Sequence, residues 1–201
     1  MDILTLTTLI AIGGYFLTRQ QQHQRIALLG RHLGHYQIEK LMEALMQGYL
    51  RALDESAPER RDQIWHLLHL TETQLCEQFQ NFATDFARVD EVSARVSRWA
   101  IALPFATRLF PRASFDMRKA LAIHAQGIAR AVANPEDPSP KDRAYTLSAE
   151  LLLMQHTCHW FCKSRSIASA RMLARHQTPH AQLVAAVAPQ TRKAYLALLQ
   201  N

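Results

Sequence analysis

A chain of 201 residues, 48% of them hydrophobic, is long enough to bury one ordinary core, and its three cysteines do not make a complete set of internal pairs, so no disulfide framework is implied. No glycine follows Gly127 and there is no Gly-rich loop, which disfavours phosphate chemistry built on such a loop. The net charge of +6 arises entirely after Glu150: no Asp or Glu remains there, and Lys163, Arg165, Arg171, Arg175, Arg192 and Lys193 are uncompensated, while the preceding residues balance.

In chain order, residues 3–17 read ILTLTTLIAIGGYFL, with no charge between Asp2 and Arg19 and apolar groups all round. The pattern predicts a transmembrane anchor over residues 1–18. Tyr15 and Phe16 lie at the interface, and Arg19, Arg25 and Arg31 on the C-terminal side predict a single-pass protein of the cell membrane with a cytoplasmic body. Residues 1–18 span only about 27 Å as a helix, against a bilayer core of roughly 30 Å. The alternatives are a buried N-terminal helix and an interfacial or cleaved segment.

Residues 19–55 are expected to form a helical neck, loosened at Gly30 and Gly34, and residues 56–201 an all-helical domain. Ser56 and Glu59 have the spacing of a capping box. The helix after it carries Ile64, Leu68, Leu75, Phe79, Phe82 and Phe86 on one stripe and should be a core helix. Asp90 opens a shorter helix through Val92, Val96 and Trp99 that fails at Pro104. Residues 103–115 are expected as a corner tucked under the core, the alternative being an exposed loop that docks a partner or touches a membrane.

Ser114 is expected to cap a helix with Met117, Leu121, His124 and Ile128 inward, His124 being a hydrogen-bonded core histidine. Residues 134–141, NPEDPSPK, read as a surface loop, and Ser139-Pro140 as the start of a central helix through Cys162. Helices follow over 167–176, after Pro179 and after Pro189. Nothing alternates long enough for a strand, so the fold class is all-α: an N-terminal anchor helix and an irregular multi-helix bundle.

Two chemistries compete. Cys158 and Cys162 share a helical face with His159 at its flank, and His69 and Cys76 lie on the phenylalanine helix; thiolate and imidazole are ligands for zinc, and haem is a second possibility. The spacing matches neither an established zinc pattern nor the haem attachment signature, and free cysteine packs well as a small hydrophobe. No cofactor is therefore expected, and no catalytic motif stands out. The basic C-terminal third points instead to binding: an adaptor or assembly protein that meets an acidic protein partner or anionic lipid through Lys163, Arg165, Arg171, Arg175, Arg192 and Lys193, with the membrane a further partner through residues 3–17. Nucleic acid is the lesser alternative, because no stacking platform accompanies the cations.

Overall fold

The computed structural model describes residues 2–133 and 139–200, so most of the loop read at 134–141 lies outside the described residues. The first helix, α1 (Ile3–Leu33), is continuous, and Leu29 is its one buried residue. Its N-terminal half stands clear of the body: Ile3 is 83% exposed, Ile10 65% and Phe16 64%. Thr7 and Thr8 donate their hydroxyls back to the Leu4 carbonyl at 2.9 and 2.8 Å, which leaves an apolar surface.

This corrects the N-terminal expectation. Among the described residues no helix is long and apolar enough to cross a membrane, and the single-pass cell-membrane placement with a cytoplasmic body is overturned. The uncharged run spans about 22 Å of helix, well short of a bilayer core of roughly 30 Å. Three threonines and the Gly13-Gly14 pair dilute it, and the same helix continues into Arg19, three glutamines and His23. Nor is it a buried core helix, since its side chains are exposed.

After a turn at Gly34, α2 (Ile38–Asp54) packs on α3 (Pro58–Phe86). The segment expected as a neck thus supplies Leu29, Ile38, Leu45 and Tyr49 to the main core. The capping box does not form: Ala57 holds the cap position, no side chain caps α3, and Pro58 begins it. Proline needs no amide partner there, and the Ala57 amide donates to Glu55 Oε1 at 3.0 Å instead. The phenylalanine stripe is core as expected. Phe79, Phe82 and Phe86 are fully buried, each contributing about 2 kcal/mol through removal from water, and Phe86 meets Phe161 edge-on with centroids 5.9 Å apart.

The next segment departs from expectation. Asp90 caps a single turn, α4 (Glu91–Ala94), by accepting from the Ser93 amide at 3.0 Å. The chain then becomes β1 (Arg95–Ser97), paired antiparallel with β2 (Ser114–Asp116), Val96 opposite Phe115. Ser114 is therefore a strand residue and not a helix cap; its hydroxyl donates to the Pro111 carbonyl at 2.6 Å. Between the strands, one turn of helix, α5 (Ala106–Leu109), sits in a corner that is not tucked away, for Ile101, Leu109 and Phe110 are exposed.

The remaining helices are α6 (Met117–Ala133), α7 (Pro140–Cys162), α8 (Arg165–His176), α9 (His180–Ala186) and α10 (Pro189–Gln200). Ser139 caps α7 and Ser164 caps α8. Helix α7 is central: it contacts α1, α2, α6, α8 and α9 and buries residues on all sides, from Leu147 to Phe161. The body is all-helical apart from the two short strands.

Candidate functional site: a basic-rimmed cleft between α1, α2 and α7

Helix α7 carries its C-terminal end past the middle of α1, and the space between them is only partly filled. A cleft of about 320 Å³ remains there, floored by Leu29, Ile38, Met42, Phe82, Met154 and Cys158. That is within the range of small-molecule clefts, about 300–1,000 Å³. Its rim is polar: Gln155, His159, Lys163 and Arg171 on one side and Glu39 on the other. A shallower hollow of about 410 Å³ adjoins it, sharing Gln155, His159 and Arg171 and adding Arg175 and His176.

The local sequence accounts for this placement. The Ser164 hydroxyl accepts from the Ile167 amide and starts α8 immediately after α7 ends, which turns the chain back beside its own last turns. Arg171 and Arg175, four apart, then lie on one face of α8. Arg171 donates to His159 Nδ1 at 3.3 Å, so the neutral ring carries its proton on Nε2. Burial, with Arg171 beside it, holds the His159 imidazole below its ordinary range. Lys163 donates to Gln22 of α1 at 3.1 Å, bridging the two walls.

The six cations of the C-terminal third do not form one patch. Lys163, Arg171 and Arg175 converge on the cleft and its hollow, whereas Arg165 turns to the Trp160 ring, its guanidinium 5.8 Å from the centroid. Arg192 and Lys193, in the first turns of α10, line neither space. Among the described residues none of the six has a carboxylate within salt-bridge distance.

The proposed ligand set is divided as well. Cys158, His159 and Cys162 lie together along the cleft, but His69 and Cys76 do not reach it. His69 Nδ1 is 3.3 Å from Glu72, whose buried carboxylate also accepts from Tyr49 at 2.7 Å and lies 3.4 Å from Arg143. Cys76 is packed in the main core. Among the described residues no three His, Cys, Asp or Glu side chains are grouped as metal ligands. Burial pushes the Cys162 thiol up to about 11 and the Cys158 thiol higher still, so near neutral pH both are neutral, weakly polar groups of the wall.

A second polar cluster, buried beneath α8 to α10, was not foreseen beyond His124. His124 Nε2 lies 3.0 Å from Thr157 Oγ1, which donates to the Leu153 carbonyl, and His156 Nε2 lies 3.0 Å from Ser169 Oγ. His180 approaches the Tyr195 hydroxyl at 3.4 Å. Burial takes both His124 and His156 down to about 3. Each of these two imidazoles is paired through Nε2 alone, His124 Nδ1 and His156 Nδ1 being buried without a hydrogen-bond partner.

The chain's own residues carry the functional reading. No protein-family model, no curated protein and no solved structure matches it.

The sequence had pointed to Lys163 and Arg171. It did not point to Glu39, Gln155 or the hydrophobic wall from α1, because these become neighbours of α7 only through the tertiary fold.

Proposed function

We propose that this protein works by binding rather than turnover, as a helical adaptor or assembly protein whose basic edge at the junction of α7 and α8 meets an acidic segment of a protein partner. The observation that carries this reading is the convergence of Lys163, Arg171 and Arg175 with no carboxylate paired to them among the described residues. Clustered cations raise the local concentration of anionic partners and speed their encounter. The exposed apolar half of α1 supports the same class of function, because large unpartnered apolar surface on a folded body is characteristic of interaction sites.

The test is titration of the full chain with a polyglutamate peptide at low and moderate salt. Saturable binding, weakened about tenfold or more in the Lys163→Gln/Arg171→Gln/Arg175→Gln variant, is the expected result, since each exposed charge pair is worth about 0.2–1 kcal/mol and three are removed. Equal binding by the variant overturns the proposal. Preference for vesicles of anionic phospholipid over the peptide replaces the protein partner by a lipid surface.

A further inference from the structure

We infer that the cleft between α1, α2 and α7 is a binding site for an amphipathic anion, a molecule with a hydrocarbon body and one carboxylate or comparable acidic head. This does not rest on the acidic-partner reading; it stands even if the α8 face binds no protein.

The argument starts from the floor. There Leu29, Met42, Met154 and Cys158, with Ile26 and Leu33 beside them, offer aliphatic and sulfur atoms and no charge. A hydrocarbon occupant gains roughly 25 cal/mol for each Å² withdrawn from water. Methionine adapts its three rotatable bonds to the occupant's shape, and two are present.

The rim supplies the second half of the match. Two permanent cations, Lys163 and Arg171, stand at one mouth, and Glu39 is the single acidic residue lining the cleft. The balance is positive, and the guanidinium of Arg171 is exposed and committed only to a neutral imidazole. A carboxylate head there exchanges that contact for a charge-assisted pair, while the chain lies along the floor. A wholly apolar ligand leaves the cations unused, and a small hydrophilic anion leaves the floor wet. Only an amphipathic anion satisfies both.

Gly30 gives the test its sharpest tool. It lies in the α1 wall of the cleft, and a Cβ built there meets nothing within 4 Å. There is therefore room for a larger side chain at this wall, and leucine is a better helix former than glycine. Gly30→Leu adds bulk at this wall, with cooperative unfolding of the variant checked alongside.

The experiment is calorimetric titration of the full chain with dodecanoate below its micellar range, with dodecanol and acetate as partners of the comparison. Expected are saturable one-to-one binding of dodecanoate, weaker binding of dodecanol and none of acetate. Gly30→Leu should weaken dodecanoate about tenfold or more, and Arg171→Gln should weaken dodecanoate about tenfold while changing dodecanol little, as loss of one charge-assisted contact predicts. Absence of saturable binding overturns the inference. So does binding that Gly30→Leu leaves unchanged, which places the hydrocarbon on the exposed half of α1. The polyglutamate titration is read separately: Arg175→Gln should weaken that binding and leave dodecanoate untouched, so the two proposals fail independently.

Discussion

The imidazoles of His156 and His180 stack with centroids 4.1 Å apart and planes 24° from parallel, although one belongs to the central helix and the other opens α9. Two imidazolium rings do not tolerate that approach, so the stack is a contact between neutral rings. Burial lowers His156 first, and His180, His159, Arg165 and His124 lower it further, to about 3; burial followed by Arg165 lowers His180.

Stability is expected to fall on acidification. An unfolded His156 takes up a proton below pH 6.5 and the folded one only near pH 3, so the unfolded state is favoured progressively through that window. By pH 4 the loss from His156 alone is about 3 kcal/mol. Urea unfolding at pH 7, 5 and 4 measures it, and His156→Gln should flatten the decline.

Glu150 acts in the opposite direction. It is fully buried and accepts from the Ala188 amide at 3.1 Å, where the chain enters α10. Burial, only partly opposed by Thr191 and the Ala188 amide, raises its carboxyl to about 7. A raised acid stabilises the fold below its unfolded value near 4.5 and loses that contribution as pH rises through 7. Glu150→Gln keeps the acceptor and removes the ionisation. It should stabilise the protein at pH 8 by on the order of 3 kcal/mol and leave it little changed at pH 4.5, read from the same urea curves.

Gly127 is held small by the same pair. A Cβ there would overlap Glu150 Oε2 and Thr191 Oγ1, and neither residue has solvent to retreat into. Gly127→Ala should therefore destabilise by about 1–3 kcal/mol, against the gain that alanine normally brings inside a helix. A rise in the thermal midpoint would show that the two side chains make room.

Deleting residues 2–17 should leave the body folded. Leu29 is the one buried residue of α1, and the ties of this helix to the body lie further along, at Gln21, Gln22 and Arg25. The expected change in unfolding free energy is within about 1 kcal/mol, with less self-association on size-exclusion chromatography. Loss of cooperative unfolding would mean that the apolar end supports the core after all.

The sequence was most legible where a single helix face decides the outcome. The phenylalanines of α3, the Ser139 cap of α7 and the burial of His124 follow from spacing and local hydrogen bonding. The pairing of β1 with β2 was not legible, because three-residue strands are too short for an alternating pattern and exist only through each other. Leu109 and Phe110 belong to the segment expected as a tucked corner, yet the chain turns outward there. At the cleft, Arg171 and Arg175 were visible as an i,i+4 pair, but the opposing wall around Gly30 comes from the other end of the chain. The apolar run at 3–17 was visible too; it is too short, and with its threonines and glycines and the polar residues that follow it, no span-length stretch of α1 is apolar enough to cross a membrane.

Helix α1 is one rod with two differently situated halves. Ile3 through Leu17 reach into open space, while Ile26, Leu29 and Leu33 of the same unbroken cylinder wall the cleft, and Arg25 ties it to the carbonyls of Phe161 and Arg95. Arg25 and the buried Leu29 anchor the inner half, so the cleft keeps its α1 wall whether or not the outer half is present.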